Sequence, residues 1–392
     1  MWNDRAVPWT ALSSRTTPHS AIREIGALAA AYPDALRLEI GDPTFVTAQH
    51  VIDAAARAAA EGYTKYTPSA GLPRLRELLV EKLRERNGIT CDVPNVIVTT
   101  GGCGAIFASL LVLLDPGDEL LVPDPGWPNY VAMAHMLNAS YVHYPLRRDH
   151  GFEPDLDALE ARITERTKVL VVNTPGNPTG AVYSREVLER LAELAARHDL
   201  WIISDECYDD LVFEGRHVSM ATIADPERTI SVFSFSKTYA MTGWRVGYLV
   251  ADAQLAASIG KTQESVVLNT AAISQKAAEA ALLGPQDHRE EMRLFYRDRR
   301  DEATSLLDEA GVDYVRPAGA FYLMIGLPPG TGSRAFCVSL LETQQVAVTP
   351  GIGFGPSGEG MVRISLSNRS ETLREGLDRL AATVTRAGAY AS

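Results

Sequence analysis

Between residues 96 and 250, short apolar runs alternate with longer segments of mixed apolar and polar character. Runs such as Val169-Leu170-Val171-Val172 show no polar alternation, as expected of strands covered on both faces. The pattern predicts strands at 96–99, 119–123, 140–144, 169–173, 201–205, 229–234 and 247–250, with helices at 104–114, 130–137, 156–162 and 185–197 between them. Such alternation builds an α/β fold, a mostly parallel central sheet with flanking helices. Upstream, residues 38–43 read as a short strand ending in a Gly/Pro turn. Beyond about residue 285 the pattern changes. A charged helix at 287–310 leads to strands at 312–316, 321–325, 346–349 and 361–365 and a closing helix at 370–387, a smaller α+β domain. The expected division is an N-terminal segment 1–45 belonging to the small domain, a large domain 46–285 and a C-terminal small domain 286–392.

Composition narrows the function. With 46% hydrophobic and 22% charged residues among 392, the chain has the profile of a soluble globular protein. A formal charge of −12 lacks the basic face of a nucleic-acid binder, so no nucleic-acid partner is expected. No run approaches the roughly eighteen apolar residues of a membrane span, and Met1 to Arg5 carry no apolar signal core. Cys91, Cys103, Cys207 and Cys337 are scattered without a Cys-x-x-Cys pair. They read as reduced cytoplasmic thiols, with neither a metal site nor a disulfide framework.

The chemistry-bearing residues follow predicted strands, where an open α/β sheet forms its ligand crevice. Lys237 closes Ser234-Phe235-Ser236-Lys237, and Arg245 comes eight residues later. A lysine amine condenses with a carbonyl only when neutral, and a guanidinium fork suits phosphate. Gly101 and Gly102 lie in Thr99-Thr100-Gly101-Gly102-Cys103-Gly104, between a strand and a helix, where backbone N–H groups approach an anion. The stretch is neither a dinucleotide fingerprint nor a Walker loop. Asn177 precedes a proline in Asn173-Thr174-Pro175-Gly176-Asn177-Pro178-Thr179-Gly180, which holds it extended with its amide in a fixed direction.

Asp205 ends a strand and either caps a helix or keeps a ring nitrogen protonated. Tyr208 reaches the same ligand if the chain turns helical there, and Glu206 reads as a solvated neighbour. Trp127, in a Pro/Gly loop, either covers a flat ring or caps the core. Tyr66 alone reads as an exposed loop aromatic. Arg363 interrupts an apolar strand and must be paired, by an internal carboxylate or by a ligand's. Together these supply a Schiff-base lysine, a phosphate cradle, a pyridinium partner, a ring stacker and a carboxylate clamp. That set matches pyridoxal 5′-phosphate and an α-amino acid.

The order and wording of the motifs resemble the class I aminotransferases, fold-type I pyridoxal-phosphate enzymes similar to aspartate aminotransferase. The resemblance rests most on Thr64-Lys65-Tyr66, Asn177-Pro178-Thr179-Gly180, Ser204-Asp205, Ser234-Phe235-Ser236-Lys237 and the run from Met241 to Tyr248. It implies that Lys237 holds the cofactor as a Schiff base and moves the proton between the substrate Cα and the cofactor C4′. Asp205 would pair with the pyridine nitrogen, Asn177 and Tyr208 with the phenolic oxygen, and Trp127 would stack on the ring. Gly101, Gly102, Ser234 and Arg245 would hold the phosphate, with Cys103 beside them. Tyr66 would reach the phosphate of the neighbouring subunit, which implies a homodimer. Arg363 would grip the substrate α-carboxylate, with Gly41, Trp127 and Asn177 lining the same pocket.

Two departures stand out. Cys103 replaces the Thr or Lys of relatives and offers no fixed charge for a distal carboxylate, which favours a neutral, aromatic or unusual substrate over aspartate or glutamate. Gly176 replaces a larger residue and leaves extra room near the cofactor. Residues 18–22 are expected as a mobile entrance strand whose His19 or Ser20 meets the substrate side chain. The resulting expectation is ping-pong transamination between an α-amino acid and a 2-oxo acid. The alternative is elimination, replacement or cyclisation on the same cofactor. A ligand-sensing regulator would need a DNA-binding module for which about forty residues before Gly41 leave little space, and a nicotinamide dehydrogenase would need the missing fingerprint.

Overall fold

The computed structural model describes residues 10–18 and 20–391. Eight strands form the central sheet, in spatial order Val96–Thr99, Gly247–Val250, Thr229–Ser234, Trp201–Asp205, Thr167–Asn173, Glu119–Asp124, Ser140–Arg147 and Glu153–Pro154. The pairings from Thr229–Ser234 through Ser140–Arg147 are parallel. Gly247–Val250 runs antiparallel to both its neighbours, and Glu153–Pro154 is antiparallel at the edge. Consecutive residues of one strand face opposite cores, as the two-residue pleat requires. Val169 and Val171 pack into one apolar cluster, while Leu170 and Val172 pack into the other.

This register brings the functional strand ends to one edge. Asn173 pairs with Asp205, Ser234 with Gly247, and Thr99 with Gly247. The antiparallel strand therefore starts where its neighbours finish.

A second, four-stranded antiparallel sheet runs Tyr314–Val315, Tyr322–Gly326, Met361–Ser365 and Thr349–Pro350. Leu36–Arg37 pairs in parallel with Val346–Ala347 as a separate two-stranded sheet. Apolar residues of the helices Asp287–Glu309, Ser333–Gln344 and Ser370–Ala391 share one core with these strands.

Several elements differ from the sequence pattern. Residues 38–43 are not a strand; pairing stops early because the carbonyls are taken by side chains. Glu39 O accepts from Arg363 Nη2 at 2.6 Å, Gly41 O from Lys237 Nζ at 2.7 Å and Asp42 O from Ser367 Oγ at 2.5 Å. The expected entrance strand instead turns into the helix Ala21–Ala29, whose Ser20 side chain accepts a hydrogen bond from Arg23 N. His19 lies outside the described residues. The helix after Thr100 begins at Gly101, because both glycines take part in its first turn. Residues 346–349 split into two short strands that join different sheets.

Candidate active site

The main cavity, about 570 Å³, opens at the shared strand edge. Lys237 reaches it from the short helix Phe235–Thr238, which follows Thr229–Ser234 directly. The Ser234 side chain accepts from Ser236 N at 3.1 Å and fixes that turn. Besides its bond to Gly41 O, Lys237 Nζ lies 5.4 Å from the Phe321 ring centre and 5.9 Å from that of Tyr208. No carboxylate among the described residues forms an ion pair with it. The amine is thus tethered by a neutral acceptor it can release.

Asp205 is buried, and no cation pairs with it among the described residues. Tyr130 OH donates to its Oδ2 at 2.6 Å and Cys207 N to its Oδ1 at 3.2 Å. Burial pushes the carboxyl above its usual range, and the bonds from Tyr130 and Cys207 pull it back. Such a group calls for a cationic or N–H partner from a ligand. It does not cap a helix; the chain after it makes a turn, which carries Tyr208 into the cavity. Tyr208 OH meets Tyr322 OH at 2.9 Å. Trp127 lies edge-on to Tyr130 with centroids 5.2 Å apart.

Arg363 is 1% exposed and pairs with no carboxylate among the described residues. Its Nη1 donates to Asn177 Oδ1 at 3.2 Å and its Nη2 to Glu39 O and Thr349 Oγ1. Nε is buried without a partner. Burial lowers its pKa, opposed by Tyr322, Tyr208 and Glu39. A buried guanidinium with neutral neighbours and an orphaned N–H fits an incoming carboxylate.

At the other end of the cavity, Gly101 adopts φ +74° at the start of a thirteen-residue helix. A Cβ on Gly247 would stand 2.7 Å from Gly101 C and Gly102 N, so only glycine lets the strand approach the helix N-terminus. Arg245 is left-handed at φ +53°, and its Nη1 donates to Thr242 O at 2.8 Å. A helix N-terminus opening on two glycines and a guanidinium without a carboxylate among the described residues make an oxyanion cradle.

The cavity brings together Gly41, Gly102, Cys103, Trp127, Asn177, Asp205, Tyr208, Ser234, Lys237, Arg245 and Arg363, with Gly101 against Arg245. Tyr66 stays outside it and is 83% exposed. Gly176 adds no room, because the Thr179 hydroxyl fills the space a Cβ would take. Glu206 is not solvated: it is fully buried and accepts from His217, Ser219 and Ser231 side chains. Tyr130 and Tyr322 were not singled out by the sequence. Tyr130's only signal is its place one helical turn after Trp127.

A lysine, an uncompensated aspartate, an oxyanion cradle and a buried arginine converging at strand ends define an enzyme that binds a phosphorylated aldehyde cofactor and an amino acid. Residues 33–380 match the family described as aminotransferase class I and II, and the chain belongs to that family. It is 41% identical over 357 residues to the aspartate/prephenate aminotransferase of Thermus thermophilus, covering 90% of this chain and 92% of that one. It is 38% identical to an arginine–pyruvate transaminase of Pseudomonas aeruginosa, covering 88% and 89%. Its fold matches a Thermus thermophilus aspartate aminotransferase single mutant at TM-score 0.92 and 38% identity, covering 96% and 100%. The protein is a fold-type I, pyridoxal-phosphate-dependent aminotransferase. The residues present fit that cofactor: buried Asp205 lacks the cation a pyridinium supplies, and the Gly101–Arg245 cradle lacks an anion.

Proposed function

We propose that the enzyme transfers the amino group of a neutral or aromatic α-amino acid to a 2-oxo acid by ping-pong exchange, with Lys237 as the amine that holds the cofactor and moves the proton. The cofactor, when bound, supplies an electron sink conjugated to the substrate Cα. Asp205, oriented by Tyr130, keeps the ring nitrogen protonated. Gly101, Gly102, Ser234 and Arg245 hold the phosphate, with Cys103 at its flank. Asn177 and Tyr208 face the phenolic oxygen and Trp127 covers the ring. Arg363 binds the α-carboxylate beside Gly41 and so directs the Cα–H bond toward Lys237 Nζ, which takes that proton and returns it at C4′. The carrying observation is the pairing of opposites in one cavity: an amine without a carboxylate and a buried carboxylate without a cation.

The substrate class rests on the cavity wall. Its cations are Lys237, Arg245 and Arg363, each with a role above; Ile22, Ile40, Cys103 and Ile106 line it without charge, and Asp42 adds an acid. No lining cation among the described residues remains for a second carboxylate. The family name does not decide this, since similar relatives are named for aspartate, prephenate and arginine. A dicarboxylate donor has one observation in its favour, the charge of Arg23, which reaches the Cys103 thiol.

Holoenzyme mixed with single amino acids, without a keto acid, reports each donor through the cofactor's visible band. Phenylalanine or alanine is expected to react at least about tenfold faster than aspartate, the scale of one absent charge-assisted hydrogen bond. Cys103→Lys should narrow that gap. Aspartate as the fastest donor, with its rate lost in Arg23→Ala, would establish the dicarboxylate reading instead.

We also propose a homodimer in the cytoplasm. Tyr66 cannot serve its own cavity, and Met136, Val266 and Val267 expose apolar surface around one open depression beside Cys103 and Arg245. The free cysteines suit a reducing compartment.

A further inference from the structure

A second cavity, about 300 Å³, lies between residues 86–87, the segment 209–217 and Arg293 of the helix Asp287–Glu309. Two acids line it, and both are already neutralised. Asp209 Oδ2 accepts from Lys82 Nζ at 2.7 Å and from Asn87 Nδ2 at 3.0 Å, and Asp210 is gripped by Arg289 through two nitrogens. Arg293 is paired with Glu290 and donates to Val212 O.

Of the remaining cations, neither guanidinium is ion-paired among the described residues, and His217 is held by Glu206. Arg86 donates only to neutral acceptors, Tyr239 OH at 2.9 Å and Gln286 Oε1 at 2.8 Å. Arg216 is exposed and has no hydrogen bond or ion pair among the described residues. His217 ties its Nε2 to Glu206 at 2.9 Å, while its Nδ1 is buried with no partner. Burial opposes a charged His217, yet the bond and charge of Glu206, then Asp209, outweigh it and hold the imidazole protonated above its usual range. Two guanidiniums and the buried Nδ1 of His217, whose protonated form Glu206 favours, therefore line a volume several times that of a water molecule, with the local acids spent elsewhere.

We propose that this cavity is a binding site for a small multiply charged oxyanion, a phosphate or polycarboxylate metabolite, held by Arg86, Arg216 and His217. The segment follows directly on Asp205 and Tyr208, which line the main cavity, so a bound anion stiffens the chain next to the wall that faces the cofactor. Arg293 extends the contact to the long helix. The ligand is separate from the cofactor's own phosphate, which belongs to the Arg245 end of the other cavity.

The test uses holoenzyme, in which the cofactor already fills its phosphate cradle. Inorganic phosphate and citrate are titrated calorimetrically in separate runs against a chloride buffer of matched ionic strength. One saturable site per chain is expected, with phosphate or citrate the tighter according to which source the site serves. Arg86→Gln with Arg216→Gln should weaken binding at least about tenfold, the scale of one lost charge-assisted hydrogen bond, while the cofactor band stays unchanged. Arg216→Gln alone removes no hydrogen bond among the described residues, so its weaker binding separates charge loss from misfolding. If neither anion binds saturably, or the double variant binds as tightly as the native enzyme, the site does not exist.

Discussion

Lys237 donates to a carbonyl, and its neighbours Tyr208 and Phe321 are aromatic. No carboxylate among the described residues forms an ion pair with it. Lys237→Ala is expected to lower turnover by at least about 10²–10⁴-fold, the range of a lost general acid–base group. Borohydride reduction followed by peptide mapping should find no cofactor adduct at position 237. Near-normal turnover would remove the assignment. The site residues that sequence made legible are those whose chemistry is local, such as Lys237 eight positions before Arg245 or Asn177 before a proline. Contacts made only by folding were not. Tyr130 meets Asp205 across 75 positions, and Arg363 meets Glu39 O across 324. Glu206 was misread for the same reason: nothing beside it predicts the histidine and serines that bury it.

At the scale of elements, strand ends were readable wherever an apolar run was buried on both faces. Val96–Thr99, Trp201–Asp205, Thr229–Ser234 and Gly247–Val250 fall where the pattern puts them. Residues 38–43 did not, because three side chains from two distant segments captured their carbonyls. The close approach of Gly247 to the helix N-terminus makes a sharp prediction. Gly247→Ala must push backbone apart, since the atoms a methyl would meet are Gly101 C and Gly102 N. We expect a loss of about 1–3 kcal/mol in stability, as for overpacking in a dense core. Chemical denaturation measures that loss, and equilibrium dialysis should show weaker cofactor retention. Unchanged retention would mean the glycines do not form the phosphate cradle.

For the whole molecule, the proposed homodimer would cover the exposed Tyr66 and the open apolar depression around Val266. Sedimentation equilibrium is expected to return twice the chain mass of 42.5 kDa. Tyr66→Phe should loosen cofactor binding about tenfold, for one hydrogen bond of about 1.5 kcal/mol, and leave that mass unaltered. A monomer that retains cofactor fully would contradict both statements. The fold class and the crevice position followed from alternating elements, but which surfaces meet another copy did not, since an exposed tyrosine in a loop looks like any other.

The hydrogen bond from Lys237 to the Gly41 carbonyl has a wider reach than its length suggests. An amine drawn away to other work leaves that oxygen without its donor, and the neighbouring peptides stay anchored only through Arg363 and Ser367. With the amine on the cofactor, the stretch carrying Ile40 and Asp42 would thus lose one anchor, and an incoming amino acid that sets the lysine free would let that tie form again.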